Sequence, residues 1–249
     1  MSVAPLDAVA LAGLQARFHG LPLDCGRPGD PGIIERGEWA DWVGHETTPD
    51  QLRIERYIDR YDLTGRAILH IGCGNSGLAA RFAPRARSIV GTTVTPEELR
   101  HGREWIERSG TANYRVLLHN KYLGREGMTD ERFDFIVDNN PSTYGCCLTH
   151  VARMMEFYAG ALAPGGQIVT DRFGLGWWMA HSHPRWAFDA ADIAAFGRLF
   201  SLQTHAVGAD IIVLAHGAPP RPSLKGRLAH GLRRLARRLK PRDRRPQPG

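Results

Sequence analysis

The sequence predicts an α/β domain, a doubly wound and mostly parallel seven-stranded sheet that ends in an antiparallel hairpin. Three observations predict it. The apolar run Ala67-Ile68-Leu69-His70-Ile71 leads straight into Gly72-Cys73-Gly74-Asn75-Ser76-Gly77, where three glycines within six positions mark a tight turn opening onto a helix. Apolar strand segments then alternate with helical ones, the pattern of parallel strands covered on both faces. The last two strand segments are separated only by Gly208-Ala209, too short for a crossover, so they pair antiparallel.

At 249 residues, with 43% apolar and 23% charged residues, the chain fits one large domain better than two. Residues 1–48 read as an N-terminal helical cap, 49–217 as the main domain and 218–249 as a basic tail. In order, Leu6 to Phe18 has helical apolar spacing and Gly20 to Gly32 is a Gly/Pro loop. Glu38 to Val43 places Trp39 and Trp42 on one helix face, packed over the core or stacked on a substrate. Thr48-Pro49-Asp50-Gln51 opens a helix to about Tyr61, with Thr48 as cap, Pro49 in the first turn and Gln51 bonding back.

After the glycine turn, a short helix over 78–82 is stopped by Pro84, and Ser88 to Val94 forms the second strand. Thr95-Pro96-Glu97-Glu98 repeats the capping box at the head of a helix ending near Gly110. Strands at 114–118 and 133–137, a helix over 148–162, a strand at 166–171, a helix near 190–199 and strands at 200–206 and 210–216 complete the body.

No apolar run reaches the roughly 18 residues of a membrane span, and the start of the chain lacks the basic-then-apolar order of a secretion signal, so a cytoplasmic protein is expected. Cys25, Cys73, Cys146 and Cys147 show no metal-ligand spacing, and two of them are adjacent, which argues against a disulfide framework. No metal site is expected.

Charge is unevenly placed. From Arg221 onward eleven Lys/Arg face one Asp, a net +10, so the first 220 residues carry −4 of the chain's net +6. Leu224, Leu228, Leu232, Leu235 and Leu239 recur at helical spacing among these cations, a basic amphipathic helix. Residues 221–245 suit an anionic membrane surface; a solubilising tail or a helix packed on the body is the plain alternative. Nucleic acid is less favoured, because no aromatics are interleaved for base stacking.

Glycine at 72 and 74 removes the Cβ atoms that would keep a ligand off the backbone, and the following helix points N–H groups and a positive dipole end at whatever binds. The run satisfies G-x-G-x-x-G, so a dinucleotide and S-adenosylmethionine (SAM) are both candidates. Nicotinamide-binding folds prefer an acidic residue about 20 positions after the glycines, absent here at the end of the second strand.

Over roughly residues 50–216 the chain resembles the class I SAM-dependent methyltransferases, whose fold is Rossmann-like. Ile68-Leu69-His70-Ile71-Gly72-Cys73-Gly74 looks like their first motif and Phe133-Asp134-Phe135-Ile136-Val137 like their fourth strand. Leu148-Thr149-His150-Val151 resembles Leu-Glu-His-Val, and Leu162-Ala163-Pro164-Gly165-Gly166 the turn before the fifth strand. Three acidic positions are replaced, by His70, by Thr93 and by His119-Asn120. Thr93-Val94-Thr95-Pro96-Glu97-Glu98 is similar to the Thr-Leu-Ser-x-x-Gln of the cyclopropane-fatty-acid-synthase-like and sterol methyltransferases.

The resemblance implies SAM as cofactor, held by Gly72, Cys73, Gly74, Thr93, Glu98, Asn120 and Asp138. In it Glu98 meets the ribose, unless it only closes the capping box, and Asn120 accepts from the adenine amino group. It implies methyl transfer to a small-molecule, glycan or lipid-like acceptor at oxygen, beyond the ends of strands four and five. His150, then Asp138, are the expected proton acceptors; helix packing and a turn cap are their plain roles. Asn139-Asn140-Pro141-Ser142 only partly matches the Asn-Pro-Pro-Tyr of amino-group methyltransferases. Gly174 to Phe188, with Trp177, Trp178, Met179, His181, His183, Trp186 and Phe188, reads as a lid for a ligand with apolar area. The other classes to weigh are an NAD(P)-dependent oxidoreductase and a catalytically silent adaptor at the membrane.

Overall fold

The computed structural model describes residues 8–26, 42–143, 145–177, 184–222 and 231. Central strand β1 (Ala67–Ile71) is buried at every position, the consequence of its apolar run, and lies parallel between β2 (Ser88–Thr93) and β4 (Phe133–Asp138). Beyond them β3 (Tyr114–Leu118) pairs with β2 and β5 (Leu162–Asp171) with β4, both parallel. Antiparallel β6 (Gln203–Val207) and β7 (Ile211–Ala215) finish the sheet, whose order is β3-β2-β1-β4-β5-β7-β6.

Alternation along the strands divides the core. Leu69 and Ile136 face one apolar layer, with residues of α1 (Ala8–Arg17), α5 (Leu148–Ala161) and α7 (Ala190–Arg198). Ile68 and Val137 face the other, under α2 (Pro49–Ile58), α3 (Gly77–Phe82) and α4 (Pro96–Ser109). Phe18, at the end of α1, sits 5.1 Å from the rings of both Phe188 and Phe196, which ties the N-terminal helix to α7. Past Leu21 the chain crosses the start of α5: the Leu148 and Thr149 N–H groups donate to the Pro22 and Leu23 carbonyls, both at 3.0 Å.

Local departures from the sequence expectations have local causes. Thr48 makes no side-chain cap for α2, which stops at Ile58, and Gln51 reaches the His70 ring at 3.4 Å instead of bonding back. Asp171 caps a short helix, α6 (Arg172–Gly176), at the start of the expected lid, accepting from the Phe173 N–H at 2.9 Å. Strand β5 starts at Leu162, before the Pro-Gly-Gly turn, and takes up the extra residues as a register shift against β4. Most of the expected 38–43 helix, the lid residues Trp178, Met179, His181 and His183, and the leucine-rich basic helix after Ser223 lie outside the described residues. No described helix is long and apolar enough to cross a membrane.

Two glycines of opposite packing give a test. A Cβ at Gly91 in β2 would meet the Tyr114 hydroxyl at 2.8 Å and Cys73 Cβ at 2.9 Å, whereas one at Gly13 in α1 would meet nothing within 4 Å. Urea unfolding is expected to show Gly91→Ala destabilising by about 1–3 kcal/mol, as overpacking does. Gly13→Ala is expected to stabilise by about 0.5–1 kcal/mol.

Burial also sets a pH dependence. It holds His70, in β1, and His119, just past β3, down to about 4 from the ordinary imidazole value of 6.5. The unfolded chain binds these protons first, so the contribution is intact above about pH 6.5 and is lost as pH falls toward 4, by on the order of 3 kcal/mol per ring at most. Urea midpoints compared at about pH 7 and about pH 5 should drop by less in His70→Gln than in the wild-type chain.

Candidate active site

Strand β1 ends in a turn that only glycine accommodates easily: Gly72 has φ +70° and Gly74 φ +47°. A Cβ at Gly72 would meet no atom within 4 Å, because it would project into open space. That space is a cavity of about 360 Å³ at the carboxyl ends of β1 to β4, within the about 300–1,000 Å³ usual for small-ligand sites. Gly72, Cys73, Gly74, Thr93, Glu98, Asn120 and Asp138 all line it. His150 does not.

Glu98 sits on the first turn of α4 with a side chain only 4% exposed. Thr95 caps the helix, accepting from the Glu98 N–H at 3.3 Å, but the carboxylate does not return to close a capping box. It accepts the Thr93 hydroxyl at 2.5 Å and the Trp42 N–H at 3.3 Å, so it lies along the cavity wall at the end of β2. Glu98 lines the cavity as a group that only accepts hydrogen bonds when ionised. Cys73 pins the glycine turn to β2, its N–H donating to the Thr92 carbonyl at 2.8 Å. Burial, assisted by the Glu98 charge, pushes its thiol up to about 12 and keeps it protonated.

On the β3 side, Asn120 Oδ1 accepts the Tyr122 N–H at 3.0 Å and caps a 3₁₀ turn over Lys121–Leu123. An amide oxygen can accept a second bond from the cavity. His119 lines the same wall, and its Nε2 has no hydrogen-bond partner among the described residues.

At the end of β4 the Asp138 carboxylate is crowded with donors. Lys121 Nζ lies 3.2 and 3.0 Å from its two oxygens, the Tyr158 hydroxyl donates at 2.7 Å and the Asn140 N–H at 3.1 Å. Lys121 also donates to the Asn140 carbonyl at 2.5 Å; burial holds its pKa below the ordinary lysine value, and the Asp138 charge offsets only part of that. Lys121 was not singled out by the sequence, where a lone lysine between two strands looks like any solvated one.

The opposite side of the cavity is built from the chain before α2 and the segment after β5. Trp42, Phe173 and Trp177 line the cavity, and Phe173 is 67% exposed. Asp50 accepts from Asn139 Nδ2, and Arg53 forks onto the fully buried Asp171 at 2.7 and 2.8 Å, fixing α2 against the end of β5.

His150, in the first turn of α5, is 1% exposed and does not reach the cavity lining. Its Nδ1 has three sulfurs around it: Cys25 at 3.4 Å, Cys146 at 3.0 Å and Cys147 at 3.1 Å. The bond from the Cys146 thiol, then the contacts of His150, draws Cys147 down into the thiolate range, and Cys146 rises correspondingly. Sequence spacing missed this group because Cys25 stands 125 positions before His150.

No family model matches the chain. It is 29% identical over 111 residues to the ribosomal protein L11 methyltransferase of Photobacterium profundum, an alignment covering 44% of this chain and 34% of that protein. An equally identical stretch of 119 residues, 47% of this chain, matches 3% of chondramide synthase cmdD of Chondromyces crocatus. The chain thus spans about a third or less of the curated relatives it matches. Among solved structures, the N-methyltransferase NodS of Bradyrhizobium japonicum WM9, in complex with S-adenosyl-L-homocysteine (SAH), superposes with a TM-score of 0.53 at 18% identity, over 74% of this chain and 95% of that one. An S-adenosylmethionine-dependent methyltransferase of Clostridium acetobutylicum gives 0.50 at 12%, over 72% and 92%. With the strand order above, these likenesses establish that the chain has the fold of the class I SAM-dependent methyltransferases.

Proposed function

We propose that this chain is a SAM-dependent methyltransferase acting at oxygen on a small or lipid-like acceptor. The observation that carries the reading is the convergence of Gly72, Gly74, Thr93, Glu98 and Asn120, from three strand ends, on one cavity whose floor lacks Cβ atoms at Gly72 and Gly74. Bound SAM supplies an already activated methyl group, so the protein must position an acceptor and exclude water. Glu98 would hold the ribose hydroxyls, Asn120 Oδ1 the adenine amino group, and the Gly72–Gly74 backbone the remainder of the cofactor.

The acceptor occupies the side lined by Trp42, Phe173 and Trp177, whose rings suit apolar area. Its oxygen is deprotonated by neither of the two residues that the sequence favoured, nor by the buried imidazoles beside them. Asp138 is committed to Lys121 and Tyr158, His150 faces sulfur atoms outside the cavity, and His70 and His119 hold protons only near pH 4. The net +10 segment from Arg221 supports, by composition alone, delivery of a lipid-like acceptor from an anionic surface.

Calorimetric titration with SAH tests the cofactor: the wild-type chain is expected to bind it and to ignore NAD(H). Gly74→Arg should abolish binding at millimolar SAH, since Arg is strained at φ +47° and fills the cradle. Binding of NAD(H) in place of SAH would overturn the reading. Glu98→Ala is expected to weaken SAH about 10- to 150-fold, the loss of charge-assisted bonds of about 1.5–3 kcal/mol. It should leave the weaker affinity for a 2′,3′-dideoxy analogue of SAH unchanged; an equal loss for both ligands would mean that Glu98 acts on the fold and not on the ribose.

A further inference from the structure

Cys25, Cys146, Cys147 and His150 bring one ligand atom each to a common point, all within 4.8 Å of one another. The three sulfurs lie 3.0–3.4 Å from the one nitrogen, His150 Nδ1, and the Cys146 and Cys147 sulfurs are 3.9 Å apart. An imidazole nitrogen offers a single lone pair or a single N–H, so hydrogen bonding accounts for one of these approaches and not for three. A metal at the centre accounts for all of them. A tetrahedral zinc with Zn–S of about 2.3 Å and Zn–N of about 2.0–2.1 Å has sulfur–sulfur edges of about 3.8 Å and sulfur–nitrogen edges of about 3.5 Å.

We propose that these four residues form a structural zinc site of the Cys₃His type, which clamps the segment leading to Cys25 onto the start of α5. Four protein ligands close the coordination shell, and none of them lines the cavity, so the site holds the fold and takes no part in transfer. Three thiolates and a neutral imidazole around Zn²⁺ leave one negative charge, placed at the positive end of a 14-residue helix and met by the His150 N–H, 3.4 Å from Cys147 Sγ.

The loop that presents two of the ligands is held from outside the cluster. The Tyr122 hydroxyl donates to the Thr143 carbonyl at 2.7 Å, and Gly145 packs against the Trp186 ring, where a Cβ would come within 2.9 Å. On the other strand of the clamp, Pro22 and Leu23 accept from α5 two and one residues before Asp24, so Cys25 is delivered beside the cluster by backbone bonds. Binding requires loss of the thiol protons, and none of the four residues belongs to the proposed cofactor contacts.

Tag-free full-length protein, purified without chelator, is expected to contain one zinc per chain by elemental analysis. Exchange with cobalt(II) should give the thiolate charge-transfer and visible bands of a tetrahedral sulfur-rich site. Cys25→Ser, which changes only the N-terminal side of the clamp, should lower zinc affinity by at least about tenfold and lower the thermal midpoint of the zinc-loaded protein. SAH binding is expected to persist in that variant, which separates this test from that of the methyltransferase reading. Full-length protein that carries no zinc and whose four cysteines react with a thiol reagent equally with and without added zinc would overturn the proposal, as would a disulfide between any two of Cys25, Cys146 and Cys147.

Discussion

The buried pair Lys121–Asp138 is the interaction on which the cavity depends. In the sheet order β3-β2-β1-β4, Lys121 follows the outermost of these strands and Asp138 ends the innermost, so their contact spans two intervening strand ends. It closes one wall of the space above β1 and β2. Neither charge would tolerate burial alone; an ion left without its partner costs about 3–5 kcal/mol. The remaining capacity of each is used, Asp138 by Tyr158 and the Asn140 N–H, Lys121 by the Asn140 carbonyl. The same bonds that satisfy the charges therefore also hold the loop after β4 in place.

That commitment shapes the chemistry left to the cavity. The Asp138 carboxylate already takes bonds from an ammonium, a phenol and a backbone N–H at these distances, so an incoming group would have to displace one of them. Buried imidazoles at His70 and His119 are poor proton acceptors, because burial penalises their charged form. The lining offers orientation and apolar contact, and it includes a further imidazole, His45.

Much of this was legible before any coordinates, for reasons that can be named. The β1 run and its glycines are a local signal, since burial on both faces demands an unbroken apolar stretch and a positive φ demands glycine. Thr93 and Glu98 are legible together because five residues separate the end of a strand from the first turn of the helix it feeds. Whether Glu98 would cap its own helix or turn to Thr93 could not be read, since both roles use the same atoms. Lys121 and Cys25 were invisible in a stronger sense. Each acquires its role from a residue 17 or 125 positions away, and only the crossing of the chain creates the proximity.

Helix α5 joins the two regions that sequence kept apart. Its exposed N–H groups, the usual weakness of a helix start, are taken by the Pro22 and Leu23 carbonyls and by Cys147 Sγ, so the N-terminal segment completes the helix and does not merely lie on it. Two turns further along, about 12 Å by helical rise, Tyr158 donates to Asp138 at the cavity wall. A helix transmits displacement along its axis with little give, and its packed face between these points, Val151, Met154 and Met155, is fully buried in the larger apolar layer. The position of α5 is thus set at one end by the segment carrying Cys25 and is read at the other by the carboxylate that closes the cavity. Holding the first turn of this helix is what makes the wall at Asp138 a fixed one.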